Sequence, residues 1–363
     1  MKKTKIFIDI FYYKTALSGI KTYIEELLSA VKDHGSNEVD YVISHDISKM
    51  DNNQFFINSK FRLVRWIFQL RYLIWKQLFL PIILKRKKID YVICPDYVVP
   101  IICTSKKIVV IHDNLFWKYP QNYPTLWRKY FIGLIKAGID KKTQIVTTSN
   151  YSKDGLSDFF KKDSIKSIYQ SSENVASNIK PNSKKYITHV GTFERRKDLV
   201  TLVKAYKKII DNGHCEYDLV LAGSTFINGS HKVYNEITNY INEYGLEKKV
   251  IIPGYISKNE ILKLYSESMI YVFPSLDEGF GIPLIEAMKF GVPVICSDIE
   301  IFKEIGKDSA FYFKVGDEND LFEKLKTLLK SEELRKNLIS SAKQNIKRFN
   351  RNNFIKEFEK IYR

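Results

Sequence analysis

Apolar residues along this chain come in short unbroken runs that alternate with longer stretches where they recur every three or four positions. A run of four to six apolar residues between polar turns reads as a strand covered on both faces, and the longer period reads as a helix with one covered face. Strands are predicted at Lys5 to Ile10, Val39 to Ser44, Ile89 to Cys94, Lys107 to Ile111, Gln144 to Ser149 and Ser164 to Tyr169. Helices fall between them at Gly19 to Val31, Lys60 to Leu80, Pro124 to Ile139 and Tyr151 to Phe160. From Gln170 to Ser183 the pattern lapses into Ser, Asn, Glu and Pro, after which a second series begins. Its strands are Tyr186 to Val190, Asp218 to Ala222, Val250 to Ile252, Met269 to Phe273 and Val292 to Cys296. Its helices are Asp198 to Asp211, Lys232 to Tyr244, Lys258 to Ser266 and Pro283 to Phe290, and Asn319 to Tyr362 reads as helical throughout.

This rhythm predicts parallel sheets covered by helices on both faces, the α/β class. Two such series in 363 residues, more than one core usually supports, predict two domains. The expected division is 1–170 as a first doubly wound, Rossmann-like domain, 171–183 as linker, 184–345 as a second such domain, and 346–363 as a helix packing back toward the first. Such sheets bind ligands outside the carboxyl ends of their strands, so the expected site is a central cleft that both domains face. Neither domain opens with the three-glycine dinucleotide turn: Gly19 stands alone after Leu17-Ser18, and Gly191 is followed by Thr192-Phe193-Glu194. A nicotinamide or flavin enzyme is therefore disfavoured.

Cys94, Cys103, Cys215 and Cys296 are scattered without metal-ligand spacing, which fits a reducing compartment. The apolar run Ile6 to Ile8 is too short for a signal peptide, and no stretch approaches the roughly 18 uncharged apolar residues needed to span a bilayer. The expected location is the cytoplasm or, peripherally, the inner face of the plasma membrane. A formal charge of +17 calls for an acidic partner. From Lys60 to Lys88 there are nine basic residues and no acidic one, mixed with Phe61, Trp66, Phe68, Tyr72, Trp75 and Phe79. Arg62, Arg65, Gln69, Tyr72 and Lys76 recur at helical spacing, so a polar stripe is expected along one face of a greasy helix ended by Pro81. That pattern suits an anionic membrane surface; the other reading is a core helix whose basic residues face water. No nucleic-acid-binding module surrounds the patch, so nucleic acid is not an expected partner.

The chemistry concentrates at predicted strand ends. Glu278 and Glu286 bracket a glycine-rich helix start, with Pro283 suited to the first turn and Gly291 closing the helix. Glycines there let backbone approach a ligand, and the N–H groups with the helix dipole favour a diphosphate. Two carboxylates flanking such a site suit a nucleotide sugar, one gripping the sugar and the other the ribose. Gly191 to Asp198 follows the first strand of the second domain, and its Arg196 and Lys197 form a diphosphate clamp. His112, at the end of strand Lys107 to Ile111, is placed to bond a sugar hydroxyl. Gly19 offers backbone to donor phosphate or acceptor, and Tyr255, after Pro253-Gly254, lies where backbone would meet the base. No Asp-x-Asp pair occurs in the chain, which points to metal-independent chemistry with no cofactor beyond the donor substrate itself.

With these residues the chain resembles the family 4 glycosyltransferases, retaining, nucleotide-sugar-dependent enzymes with the GT-B fold. The resemblance spans nearly the whole chain and is most specific in Pro274-Ser275-Leu276-Asp277-Glu278-Gly279-Phe280-Gly281-Ile282-Pro283-Leu284-Ile285-Glu286-Ala287-Met288, which matches the Glu-x7-Glu signature. It implies that Glu278 holds donor-sugar hydroxyls beside backbone from Gly279, Phe280, Gly281 and Ile282, that Glu286 binds the ribose, that Arg196 and Lys197 bind the diphosphate, and that His112 meets the sugar from the other domain. The first glycine loop, Leu17-Ser18-Gly19-Ile20-Lys21, is poorer than usual, and Asp198 stands where Asn is common. The implied activity is transfer, with retention, to a glycan acceptor, lipid-linked, in bacterial surface polysaccharide synthesis. A non-catalytic scaffold and a glycosyl phosphorylase on the same fold stay open as alternatives.

Overall fold

In the computed structural model the described residues are 3–16, 18–50, 62–172, 185–213, 216–225 and 230–363. The chain divides into two compact units, Met1–Ser172 with Phe349–Arg363, and Glu173–Arg348. The first unit holds strands β1 (Thr4–Ile8), β2 (Val39–Ile43), β3 (Tyr91–Cys94), β4 (Lys106–Val110), β5 (Gln144–Thr147) and β6 (Ile165–Ser167). They form one sheet in the order β2-β1-β3-β4-β5-β6, parallel throughout. The second unit holds β7 (Tyr186–Val190), β8 (Asp218–Ala222), β9 (Val250–Gly254), β10 (Ser268–Phe273), β11 (Val294–Ser297) and β12 (Ala310–Phe313), again all parallel, in the order β12-β11-β10-β7-β8-β9.

The unbroken apolar runs follow from this topology. In β1, Ile6 and Ile8 enter the core on one face of the sheet while Phe7, between them, enters the core on the other. Both faces being covered, no polar alternation is required. Helix α1 (Ser18–His34) covers the first of these faces together with the closing helix Arg351–Glu359. The two helices are tied by Arg351, whose guanidinium forks onto both carboxylate oxygens of the buried Glu26 at 3.2 Å each.

Three expectations about local structure are corrected. Gln170, Ser171 and Ser172, expected to begin the linker region, are buried in the first unit, where the Ser171 hydroxyl donates to Glu26 at 2.7 Å. Polar residues look like linker in a sequence when their partners lie far along the chain. Most of the expected linker, together with Cys215, lies outside the described residues. Pro81 does not end its helix: α2 (Arg62–Ile74) runs through a π-helical turn, Trp75–Phe79, into α3 (Leu80–Arg86), with Pro81 in the first turn of α3. The wider turn absorbs the missing N–H. The stretch between Cys296 and Asn319, to which the periodicity assigns no element, contains a helix, Glu300–Gly306, and the edge strand β12.

The largest departure concerns the polar stripe of this long helix. Tyr72 and Lys76 point inward, and the apolar side chains Trp66, Ile67, Leu70, Leu78, Phe79 and Ile82 are exposed. The Lys76 ammonium, fully buried, sits 2.7 Å from both Asp9 and Asp96, at the carboxyl ends of β1 and β3. The Tyr72 hydroxyl donates to Asp96 at 2.9 Å, and the Trp75 indole N–H donates to Asp9 at 3.0 Å. Burial works to lower the Lys76 pKa, but Asp9 and Asp96 outweigh it and hold the ammonium above its usual range. Burial, opposed by Lys76, pushes Asp96 up to about 6. The helix is turned over because a cation and two carboxylates find each other in the interior, and the greasy face is left outside.

By length and composition, Trp66–Arg86 also qualifies as a helix able to cross a membrane, although it carries Arg71, Lys76, Lys85 and Arg86. All four tryptophans belong to the first unit, so their fluorescence reports on it alone. Replacing Lys76 by Met strands two buried carboxylates and should destabilise this unit by about 3 to 5 kcal/mol. The loss, read from urea midpoints by tryptophan fluorescence, should grow as pH rises from about 5 to 8, because acid neutralises the carboxylates left behind.

Candidate functional site

The carboxyl ends of β7, β8 and β10 carry the turns that build a site in the second unit. The turn after β7 starts at Gly191, whose N–H donates to the Ala222 carbonyl at 2.9 Å. The turn after β8 starts at Gly223, with φ +155°, and a Cβ there would lie 1.7 Å from the Gly191 carbonyl oxygen. Only glycine permits that approach. The Leu276 N–H, in the loop after β10, donates to the Arg196 carbonyl at 2.7 Å and fastens this loop to the first turn. Asp198 enters helix Leu199–Asp211 in the left-handed region, φ 47°, which Asp and Asn tolerate better than most residues.

These turns bring Arg196, Lys197 and Glu278 together. The Arg196 guanidinium spans Glu194 and Glu278, at 2.8 Å from a carboxylate oxygen of each. The buried Lys197 ammonium pairs with the other oxygen of Glu278, which also accepts from the Ser275 hydroxyl at 2.9 Å. Ser275 is itself held, its carbonyl accepting from the Ser297 hydroxyl. Burial works against the ionised form of Glu278, but Arg196 and Lys197 overcome it and bring the pKa down to about 2. Lys197 also lies 4.9 Å from the centre of the Phe273 ring. The cluster is two cations and a carboxylate withdrawn from water at a strand edge. A diphosphate is an anion able to compete with a carboxylate for such a pair of cations.

Glu286 lies in the second turn of helix Ile282–Lys289, half-buried, and accepts from the Tyr265 hydroxyl at 3.2 Å. Gly281 precedes that helix with φ +97°, and Phe280 beside it is buried. An aromatic floor runs from one glutamate to the other: Tyr265 meets Tyr271 edge-on at 5.8 Å, and Tyr271 meets Phe273, under Lys197, at 5.8 Å. Tyr255 follows Gly254, φ +75°, and is 71% exposed.

His112 and Gly19 belong to the first unit. Gly19 lies exposed in the first turn of α1, and an added Cβ would meet nothing within 4 Å among the described residues. His112 follows β4, its ring edge-on to Tyr23 at 4.8 Å. Its Nε2 is 2.9 Å from the Pro95 carbonyl, an acceptor only, so Nε2 carries the hydrogen and Nδ1 is an acceptor. Burial lowers its pKa to about 4, and the imidazole is neutral at pH 7.

The sequence reading missed four residues of this region. Gly223 and Ser275 shape the turns, Tyr265 holds Glu286, and His189 lies beneath Gly191, at 2.8 Å from where a Gly191 Cβ would sit. His189 is fully buried, with Nδ1 at 3.0 Å from the Val272 carbonyl and Nε2 without a hydrogen-bond partner among the described residues. None of the four has a local sequence signal except Gly223, a glycine directly after a strand.

Residues 170–345 match the family model described as Glycosyl transferases group 1. A curated relative, the O-antigen chain mannosyltransferase RfbU of Salmonella typhimurium, is 31% identical over 212 residues, which cover 58% of this chain and 57% of that protein. The chain thus matches little more than half the length of this relative. Among solved structures, a glycosyltransferase from Rickettsia africae aligns with TM-score 0.69 at 19% identity, covering 100% of this chain and 98% of that one. The Anabaena protein HepE, solved in complex with UDP and glucose, aligns with TM-score 0.69 at 15% identity over 99% of each chain. The two parallel six-stranded sheets and these neighbours identify the fold as GT-B, α/β and two-domain.

Glu278→Gln removes the charge that occupies Arg196 and Lys197 while keeping the side chain's size. Affinity for inorganic pyrophosphate, measured by calorimetry, should rise roughly tenfold, as expected when about 1.4 kcal/mol of competing charge pairing is removed. An unchanged or weaker affinity would show that these cations are not the anion site.

Proposed function

We propose that the chain is a retaining glycosyltransferase that moves a sugar from a nucleoside-diphosphate donor to a glycan acceptor in surface polysaccharide synthesis. The observation that carries this reading is the convergence of Arg196, Lys197 and Glu278 on strand ends inside the segment that matches the glycosyltransferase family model. The donor class is supported by the UDP and glucose bound to HepE, and the glycan acceptor by the O-antigen role of the Salmonella relative.

In this proposal the diphosphate takes Arg196 and Lys197 from Glu278. The freed carboxylate accepts hydroxyls of the donor sugar, and Glu286 accepts those of the ribose. As the bond to the anomeric carbon breaks, charge grows on the departing phosphate oxygen, where the two cations and the N-terminus of helix Ile282–Lys289 oppose it. The acceptor hydroxyl attacks from the face the diphosphate leaves, its proton passing to the departing phosphate oxygen, and the anomeric configuration is retained. His112, neutral with Nδ1 as an acceptor, serves as a partner for a sugar hydroxyl.

The acceptor is proposed to be lipid-linked, with the enzyme attached peripherally to the cytoplasmic membrane face. Support comes from the exposed apolar side of Trp66–Arg86 and the exposed Lys85, Arg86, Lys87 and Lys88 at its end. A bilayer would take the apolar side chains into its interface and hold the basic ones among anionic headgroups. The pairing of Lys76 with Asp9 and Asp96 keeps this helix on its sheet, which favours lying on a membrane over crossing one.

The test is turnover of a panel of UDP-, GDP-, dTDP- and ADP-sugars, with product configuration read by NMR. Arg196→Ala and Lys197→Ala should each cost roughly 2 to 4 kcal/mol in the barrier, or about 30- to 1000-fold in rate, with the fold intact. Near-normal turnover in both variants would remove them from the mechanism, and an inverted product would refute retention.

Leu78→Glu combined with Phe79→Glu should abolish sedimentation with phosphatidylglycerol vesicles. Equal pelleting of the unaltered protein with neutral and anionic vesicles would show that its basic residues play no part.

A further inference from the structure

Tyr265 lies in the last turn of helix Lys258–Ser266, a segment fixed at its start by a reciprocal capping box between Ser257 and Glu260. Its side chain is fully buried, with the ring between Tyr271 at 5.8 Å and Phe290 at 5.5 Å. Phe290 caps the helix that carries Glu286, and its N–H donates to the Glu286 carbonyl. The phenol is therefore packed between a ring of strand β10 and the ring that closes the helix carrying Glu286. A buried hydroxyl without an acceptor is costly, and this one donates to Glu286 Oε2 at 3.2 Å.

From this arrangement we infer that Tyr265 is a positioning residue: by donating to Oε2 it fixes the rotation of the Glu286 carboxylate and so sets how the enzyme grips the ribose hydroxyls of its donor. The inference rests on the proposed reading of Glu286 as the ribose acceptor. A glutamate in the second turn of a helix has three side-chain torsions to restrict before it meets a vicinal diol in one orientation. The rigid phenol contributes to restricting them before the ligand arrives. Burial, with Glu286 adding to it, raises the Tyr265 pKa well above its ordinary value, so the hydroxyl remains a donor at any working pH.

The experiment is calorimetry with UDP and GDP and with their 2′-deoxy and 3′-deoxy forms. Unaltered protein should prefer the ribo form. In Tyr265→Phe, affinity for the ribo form should fall about tenfold while that for the deoxy forms stays unchanged, so the preference shrinks toward that of Glu286→Gln. Tyr265→His, which returns an N–H donor on a planar ring, should recover part of it. If Glu286→Gln loses the preference and Tyr265→Phe keeps it, the inference fails and the reading of Glu286 stands. If Glu286→Gln keeps the preference, the reading of Glu286 fails and the inference with it. Equal loss of affinity for ribo and deoxy forms in Tyr265→Phe, with a lower melting temperature, would mark Tyr265 as merely structural and overturn the inference.

Discussion

The second unit is organised around a buried carboxylate held by two cations. Glu278, Arg196 and Lys197 come from two loops that follow different strands, and each would be costly to bury alone. Their pairing makes the close approach of those loops tolerable, and beside them the turn after β8 needs a glycine where Gly223 meets Gly191. The hydrogen bond from Leu276 to Arg196 and the Ser275 hydroxyl on Glu278 complete the arrangement. On the proposed reading of the site a donor diphosphate replaces Glu278 at these cations, so the pairing that stabilises the unit also holds them for a ligand.

The first unit solves a similar problem to a different end. Lys76, Asp9 and Asp96 are closed off from solvent, so nothing can exchange for either carboxylate. What this cluster determines is the roll of a helix. With Tyr72 and Lys76 anchored inward, geometry sends Leu70, Leu78 and Phe79 outward, and a helix whose composition suits a core presents its apolar side to the surroundings. The ion cluster therefore shapes the surface as much as the interior.

Much of the architecture was legible along the chain because a parallel sheet covered on both faces imposes continuous apolar strands. Tyr186 to Val190 and Asp218 to Ala222 were located to the residue, and helix Lys258 to Ser266 likewise. The omissions share a cause. Strand β12 is short and at the edge of its sheet, and it shares its stretch with the short helix Glu300–Gly306, so neither repeats long enough to show a period. Pro81 misled because its ordinary effect on a helix assumes an α-helical turn before it, and a π-helical turn is not announced by residue type.

The candidate site divides along the same line. The sequence by itself determined that Arg196, Lys197, Glu278 and Glu286 stand at strand ends or helix starts, since those positions depend only on local periodicity, Gly and Pro. Only the tertiary structure decided that Glu278 is already paired with both cations, that Tyr265 holds Glu286, and that Lys76 faces inward. Each of these contacts joins residues between 20 and 82 positions apart, where no local pattern constrains partners and only the packing of the sheet brings charges and hydroxyls within reach.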